Sequence, residues 1–187
     1  MKAIKPKTCK VCKSKFTSFQ PMAKVCSPGC ALTLAVSNRG KAEKIAQIKD
    51  KRETKVKLEK LKSRSDWAKE AQAAFNTWVR TRDAELPCIS CGRHHQGQYH
   101  AGHYLSVGAR PELRFEPLNV HKQCAPCNNH FSGNVLLYRK GLLIKVGADV
   151  VDWLEGPHPL NHYTTDELIA IKKTYNANTK FLKDAQA

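Results

Sequence analysis

The sequence predicts an α+β protein in which a small β-hairpin and a following helix are held by four cysteines and surrounded by further helices. Two observations predict this fold: the cysteines fall into close pairs, and amphipathic helical patterns flank a central region rich in histidine and turn residues. Three segments are expected: a cysteine-rich module at 1–36, a basic helical linker or arm at 37–64, and a larger domain at 65–187 that includes the C-terminal helices.

Positive charge is concentrated at the start of the chain. The 187 residues carry a formal net charge of +16, and residues 1–64 alone contain 18 Lys and Arg against 4 Asp and Glu. Such an excess indicates a polyanionic partner, most often nucleic acid. The chain has neither an apolar stretch of the ~20 residues that a membrane span needs nor a secretory signal. We therefore expect DNA and no membrane as partner, in the cytoplasm.

The eight cysteines form two predicted sets of four. Close pairs in a chain without a secretory signal indicate metal binding, with disulfides or free thiols as the alternative. Four thiolates fill every position of a tetrahedral zinc ion, so both sites would be structural and not catalytic. The two sets are Cys9, Cys12, Cys26 and Cys30, and then Cys88, Cys91, Cys124 and Cys127.

The basic segment at 37–64 is rich in helix formers and has no Pro or Gly after Gly40. It could be a solvated linker or an arm that lies along a duplex, and its one-sided charge favours the arm. Phosphate contacts are expected from this helix and from the module before it. The candidates are Lys10, Lys13, Lys15, Lys41, Lys44, Lys51, Arg52 and Lys55.

Two helices of the larger domain carry start signals. A helix over 65–83 can be capped by Ser63 or Ser65, and Ser63 with Asp66 approximates a capping box. Its aromatic face is expected to pack in the core, with base stacking as the alternative. A last helix follows Thr164, whose capping box is completed by Glu167. Two short helices are expected between residues 134 and 156.

The central region contains the residues with chemical potential. "QYHAGHYLS" predicts a strand, "LRFEPLNVHKQ" predicts a second strand bent at Pro117, and "CAPCNNHF" predicts the start of a helix. All eight histidines lie after residue 93. Histidine suits a general base near neutral pH, and a divalent ion with oxygen or imidazole ligands would stabilise charge during phosphodiester hydrolysis.

From Cys88 to about Gly133, this arrangement resembles the HNH, or ββα-metal, endonuclease superfamily. The resemblance implies that His103 is the general base, that Asn119 orients it by a hydrogen bond, and that Asn128 binds a catalytic Mg2+ or Mn2+ ion. The predicted fold class is therefore α+β, with a small ββα-metal (HNH) core that has a four-cysteine zinc site and surrounding helices, preceded by the zinc module and the basic helix.

One position departs from the superfamily pattern. Many members have an acidic metal ligand directly before the base histidine, and this sequence has Gly102 there. His100 is predicted to replace that ligand, which requires a bulge at 101–102 because residues 100 and 103 of a regular strand face opposite sides. The reserve ligands are His121 and His130. Ordinary structural roles are the alternative: Asn119 could cap a turn, and Asn128 could bond to backbone at a helix start.

Over its whole length the sequence resembles the NinG family of lambdoid phages, also called Rap, on the strength of "CKVC", "CSPGC", "CISCGR", "HAGHY" and "CAPCNNH". The cysteine and asparagine layout is also similar to that of phage endonuclease VII. The resemblance implies a structure-specific endonuclease acting on Holliday junctions and D-loops. The alternatives are a non-catalytic zinc protein that binds DNA in recombination or transcription, and a non-specific or sequence-specific HNH nuclease. Cutting a junction twice would favour a homodimer, although the sequence shows no dimer interface.

Overall fold

A computed structural model describes residues 5–185. The chain divides into two compact units, one ending at Leu61 and the other beginning at Lys62. None of the helices within residues 5–185 combines the length and apolarity needed to cross a lipid bilayer.

The first unit consists of a very small hairpin and one long helix. Strands β1 (Lys7–Thr8) and β2 (Lys15–Phe16) pair antiparallel, and helix α1 covers Pro28–Leu61. This helix begins well before the predicted start at residue 37. The reason is a local cap: the Ser27 hydroxyl accepts a hydrogen bond from the Cys30 amide at 3.2 Å, and Pro28 suits the first helical position.

Helix α1 has no buried residue along its 34 residues. Its helical state depends on helix-forming side chains and on exposed pairs one turn apart, such as Arg39 with Glu43 at 3.0 Å. Among residues 5–61, Cys9 has the one buried side chain. The first unit therefore has no apolar core of its own in the described residues.

The second unit contains a two-stranded sheet and four α-helices. Its helices are α2 (Arg64–Arg82), α3 (Val135–Val146), α4 (Ala148–Glu155) and α5 (Thr165–Asp184). Its strands are β3 (Tyr99–His103) and β4 (Val120–Cys124), with a 3-10 turn at Pro111–Leu113 and a π-helical turn at Pro126–His130.

Both predicted capping boxes are confirmed. The Ser63 hydroxyl accepts from the Asp66 amide while the Asp66 carboxylate accepts from the Ser63 amide, and Thr164 and Glu167 repeat the arrangement at the start of α5. Helix α2 then packs against both strands of the hairpin, and α5 packs against α2. Their core contains Trp67, Ala71, Phe75, Val79, Phe115, Val120 and Leu168.

The hairpin has a continuous register from Tyr99 opposite Cys124 to His103 opposite Val120. The predicted bulge at 101–102 is therefore wrong, because every residue of β3 has a partner in the ladder. The second strand is also shorter than predicted. Residues before Val120 form turns, in one of which the Asn119 amide donates to the Glu116 carbonyl at 3.1 Å.

Helix α3 is attached to the hairpin by a fully buried tyrosine. The Tyr138 hydroxyl donates to the Gly102 carbonyl at 2.8 Å and accepts from the His121 amide at 3.0 Å. Gly141 lies so close to the 88–91 turn that an added Cβ would overlap the Ile89 carbonyl oxygen. The result is a hairpin covered by a helix, as predicted, although α3 is separated from the π-helical turn by residues 131–134.

Candidate functional site

The eight cysteines gather into the two predicted sets. In each set one sulfur from every cysteine lies within 4.8 Å of the other three. Sulfurs around a tetrahedral zinc ion at ~2.3 Å would be about 3.8 Å apart, and the Sγ atoms of Cys26 and Cys30 are 3.7 Å apart. We call the sets the N-terminal cluster (9, 12, 26, 30) and the hairpin cluster (88, 91, 124, 127). Each could hold a zinc ion with no position left for a reactant.

The hairpin cluster is built from the end of β4 and the turns beside it. Gly92 has φ +66° and donates its amide to the Cys88 carbonyl at 2.9 Å, which closes the first turn. The Cys124 amide points at the Cys88 sulfur at 3.4 Å. Burial raises the pKa of Cys124 to about 12, so a metal ion would have to displace its proton to bind there.

His103, the predicted base, lies at the end of β3 and is partly buried. Its Nε2 is 3.0 Å from the Arg114 carbonyl oxygen. Since a carbonyl only accepts, Nε2 carries the proton and Nδ1 has the free lone pair. Burial also lowers the pKa of His103, which keeps the ring neutral near pH 7. A neutral imidazole with a free Nδ1 is the form that a general base requires.

Asn119 acts on the loop before β4 and not on the imidazole. The predicted hydrogen bond to His103 is replaced by three bonds to backbone, because the fully buried amide finds all its partners there. Its Oδ1 accepts from the Leu105 amide at 2.9 Å, and its Nδ2 donates to the carbonyls of Leu105 at 3.0 Å and Leu113 at 3.2 Å. Residue 114, which holds His103, follows directly. Asn119 therefore fixes the loop that contacts His103.

Asn128 follows the end of the hairpin opposite to that of His103. It lies in the π-helical turn, where its Nδ2 donates to the Asn129 Oδ1 at 2.7 Å, so that its own Oδ1 is the atom that could bind a cation. The turn follows Cys124, four ladder positions from His103, which is about 13 Å of strand. Within residues 5–185 no hydrogen bond joins the two side chains. His130 lies in the same turn and is exposed.

His100 lies on the face of β3 opposite to His103, because the strand is regular. It therefore does not join His103 in the way that the predicted bulge would have allowed. Its ladder partner is Gln123, and its Nε2 is buried with no hydrogen-bond partner in the described part of the chain. This nitrogen is free to bind a ligand.

His121, a reserve ligand, is committed to structure. Its Nδ1 is 2.8 Å from an Arg82 guanidinium nitrogen and 3.3 Å from the Lys145 ammonium. Both neighbours only donate, so Nδ1 accepts and the proton of the neutral ring is on Nε2. Burial lowers the pKa of His121, which favours this neutral form. A protonated Nε2 cannot bind a cation.

Gln123 is a candidate site residue that the sequence did not indicate. Its side chain is fully buried, and its Nε2 donates to the Ser90 hydroxyl at 2.7 Å and to the Gly133 carbonyl at 2.6 Å. Its Oε1 has no hydrogen-bond partner among residues 5–185. An added Cβ at Gly102 would overlap this oxygen. The available signal was the alternation of β4, which puts residues 121 and 123 on one face.

The donor set on this face fits a divalent cation. His100 Nε2 and Gln123 Oε1 belong to ladder partners, and both are buried ligand-type atoms without a protein partner in the described chain. Imidazole nitrogen and amide oxygen are accepted by Mn2+, and oxygen by Mg2+. Neither β3 nor β4 contains an acidic residue. The set is therefore neutral, and a cation there would keep its full charge for an anionic substrate.

Asp83 lies beside β4, next to His121, and is not available as a metal ligand. Its carboxylate accepts from the Arg82 guanidinium at 2.8 and 2.9 Å, from Lys145 at 3.1 Å and from the Lys122 amide at 3.1 Å. Burial opposes its ionisation, but the hydrogen bonds from Arg82 and the positive charges of Arg82 and Lys145 outweigh burial and hold the pKa of Asp83 far below its usual range. The carboxylate ties α2, β4 and α3 together.

The predicted phosphate-binding residues are all exposed, and two of them line one polar cavity of the first unit. This cavity measures about 500 Å3, and Lys24, which the sequence did not single out, joins Lys10 and Lys41 there. Its remaining lining includes Thr33, Ser37 and Asn38, which are hydrogen-bonding side chains without negative charge. Three ammonium groups with such neighbours suit a phosphate.

Comparisons with known proteins agree over nearly the whole chain. The family model described as "Bacteriophage Lambda NinG protein" matches residues 1–185. Protein ninG of Salmonella phage P22 is 44% identical over 173 residues, covering 87% of this chain and 85% of the relative. Protein ninG of Escherichia phage 933W is 41% identical over 192 residues, covering 96% and 94%.

Protein ninG of Escherichia phage lambda is 43% identical over 173 residues, covering 87% of this chain and 85% of the relative. No solved structure matches the chain. With a family model spanning both cysteine clusters and relatives of this identity and coverage, the chain belongs to the NinG protein family of bacteriophages.

Proposed function

We propose that the protein is a metal-dependent endonuclease of the HNH type that hydrolyses phosphodiester bonds in branched recombination intermediates, such as Holliday junctions and D-loops. One observation carries the proposal. His103 is a neutral, partly buried imidazole whose Nε2–H is held by the Arg114 carbonyl, so that Nδ1 is free to take a proton. An ordinary surface histidine has no need of such support.

In the proposed reaction, Nδ1 of His103 takes a proton from the water that attacks the scissile phosphorus. Asn119 maintains the loop that fixes the imidazole, and Tyr138 keeps α3 against the strand that carries it. Stabilisation of charge on the phosphate and the leaving oxygen is the chemistry that a bound Mg2+ or Mn2+ supplies. His100 and Asn128 are the candidate ligands for such an ion. The thiol clusters would hold zinc and only brace the fold.

The first unit is proposed to hold the DNA by its phosphates. Its lysines are exposed, and no set of side chains there suggests a base-specific code. Recognition of a branch would then depend on DNA shape and deformability. Cleavage of both strands of a junction would need two copies of the site, and so a dimer on the DNA.

The decisive test is the cleavage of a synthetic four-way junction by the His103→Ala variant, with Mg2+, Mn2+ or EDTA present. General-base removal should slow cleavage by about 10²–10⁴-fold, while junction binding remains. His162→Ala is the matched control, because His162 is exposed and far along the chain from the hairpin. Unchanged cleavage by His103→Ala would overturn the mechanism.

The pH dependence gives a second check on His103. Only the neutral imidazole accepts a proton, and the pKa of His103 lies below the ordinary value of 6.5. Cleavage should therefore be constant around neutral pH and decline only at acidic pH, as the ring becomes protonated. A cleavage rate that already falls above pH 7, as the pH is lowered, would implicate a different group.

A non-catalytic DNA-binding role is the second candidate. It is favoured by one observation: the side chains of His103 and Asn128 bond to different partners, and no hydrogen bond joins them in the described residues. Under this reading the wild-type protein binds junctions but cleaves none with any metal ion. Equal cleavage of a linear duplex of the same sequence would instead indicate an HNH nuclease without preference for branches.

A further inference from the structure

We propose that Gln123 and His100 bind the divalent cation, and that the Gln123 amide oxygen takes the place of the acidic ligand that is absent at position 102. The inference rests on the proposed function, since that function supplies the reason for a cation. It assigns a ligand that neither the sequence pattern nor the comparisons identify. Three features of the hairpin face carry it.

The first feature is a steric conflict between any side chain at position 102 and the side chain of Gln123. A Cβ on residue 102 would overlap Oε1 of Gln123 and lie 3.0 Å from its Cβ and Cδ. The Gln123 amide thus fills the volume where the side chain of residue 102 would begin. Only glycine at position 102 leaves room for the Gln123 amide. The amide therefore occupies the space that a carboxylate side chain at position 102 would need.

The second feature is the fixed orientation of the amide. The Gly133 carbonyl can only accept a hydrogen bond, so the atom of Gln123 that lies 2.6 Å from it must be the nitrogen. The Ser90 hydroxyl takes the second amide hydrogen at 2.7 Å. The oxygen is then the free end. Leaving a buried acceptor unpaired is unfavourable because its hydration is lost without replacement, so a partner for Oε1 is expected.

The third feature is the neighbouring imidazole. His100 is the ladder partner of Gln123, and the side chains of directly opposed residues share one face of the sheet. Its Nε2 is buried and likewise has no partner within residues 5–185. Two ligand-type atoms without partners, on directly opposed residues, suit one ion better than two unrelated unpaired groups.

The neutrality of this pair has a measurable consequence. With no carboxylate on β3 or β4, the cation should bind weakly to the protein alone and more tightly when a DNA phosphate completes its coordination. Metal and DNA should therefore increase each other's affinity by the same factor.

The test is a Mn2+ titration of the full-length, zinc-loaded protein, followed by paramagnetic broadening of the NMR amide signals of residues 99–103. Gln123→Ala and His100→Ala should each weaken Mn2+ binding at least tenfold, and excess Mg2+ should reverse the broadening. His94→Ala, an exposed change outside the strands, is the control and should bind Mn2+ like the wild type.

A swap of the two positions makes the test sharper. Gly102→Asp alone should be unstable, because its side chain overlaps Gln123. Gly102→Asp combined with Gln123→Ala removes the overlap and puts a carboxylate in the vacated space. This double variant should bind Mn2+ at least as tightly as the wild type, and thermal melting establishes that each variant is folded.

The failures of the two proposals are distinguishable. Wild-type Mn2+ affinity in folded Gln123→Ala and His100→Ala would overturn the ligand assignment and leave the cleavage result for His103 untouched. It would indicate instead that a water molecule bridges Gln123 Oε1 and the Nε2–H of His121. Should Gln123→Ala fail to fold, His100→Ala decides, because the His100 Nε2 makes no hydrogen bond within the described chain. Mn2+ binding that depends on Gln123 without any junction cleavage would refute only the nuclease proposal.

Discussion

The two four-cysteine clusters have the same ligands but very different surroundings. The N-terminal cluster joins a hairpin of two-residue strands to a helix without buried residues, and Cys9 has the one buried side chain of residues 5–61. The hairpin cluster has three buried cysteines and lies in a unit with two apolar cores. Four thiols thus replace a core in one unit and brace an existing core in the other.

Metal removal should have the largest effect and should separate the two clusters. Structural zinc contributes an apparent ~10–16 kcal/mol in modules that lack a core, so a strong chelator should abolish order in residues 7–30. The helices of the second unit should persist with a lower Tm. Dispersion of NMR amide signals before and after chelation measures both outcomes.

The matched variants Cys12→Ser and Cys91→Ser show which cluster is responsible for each loss of order. We expect Cys12→Ser to disorder only the first unit and Cys91→Ser to leave α2 and α5 folded. Well-dispersed signals from residues 7–30 in chelated protein would show that the thiols are not the core of that unit.

The next largest effect is expected from Asp83→Asn. The change leaves Arg82 and Lys145 beside a neutral amide in a buried setting, which should cost about 3–5 kcal/mol of unfolding free energy. Asp50→Asn, an exposed change in α1, is the control and should have no measurable cost. Urea denaturation measures both.

The pH dependence of the ion pairs that Asp83 makes with Arg82 and Lys145 follows from the pKa of Asp83. Because that pKa is lowered in the folded state, the stabilisation is fully present above the unfolded value of about 4 and is lost as pH falls below it. The difference in unfolding free energy between the wild type and Asp83→Asn should therefore become smaller at acidic pH. A difference that is constant from pH 7 to pH 3 would contradict the ion-pair assignment.

Sequence reasoning succeeded where the interactions are local. Capping boxes at Ser63 and Thr164 need only residues three positions apart, and the cysteine pairs are recognisable from their short spacing in the sequence. It failed where a side chain makes hydrogen bonds to backbone groups that are distant in the sequence. Asn119 was expected to bond to His103, but its three partners lie across a loop whose path no local pattern fixes.

The candidate site was predictable in part for the same reason. His103 and the hairpin follow from motif and alternation, whereas the packing of Gln123 over Gly102 depends on strand register. One wrong assumption, a bulge at 101–102, put His100 on the side of His103. The ion pairs of Asp83 join residues up to 62 positions apart and had no signal in the sequence.

Glycine replacements should give smaller effects of opposite sign in the two units. At Gly141 an added Cβ would overlap the Ile89 carbonyl oxygen, so Gly141→Ala should cost about 1–3 kcal/mol. At Gly40, inside α1, nothing lies within 4 Å, and Gly40→Ala should stabilise the helix by about 0.5–1 kcal/mol. Thermal melting measures the first and helical circular dichroism the second. Destabilisation by both changes would mean that α1 is packed against a partner.

Helix caps should give the smallest effect. Thr164→Ala removes the cap of α5 and should lower the unfolding free energy of the second unit by about 1 kcal/mol. Ser27→Ala removes the cap of α1 but should fray only its first turn, because no apolar core couples that turn to the remainder of the unit. Hydrogen exchange of the α1 amides distinguishes fraying from global loss.

The absence of buried residues along α1 also bears on how such a chain can diverge. At 1.5 Å per residue, its 34 residues form a rod about 50 Å long, comparable to fifteen base pairs of duplex. Substitutions there are limited by helix propensity and charge, and no packing partner inside the unit restricts size or shape. Over evolutionary time the identity of individual residues can drift while the cationic rod persists, and whole turns can be gained or lost without disturbing either thiol cluster.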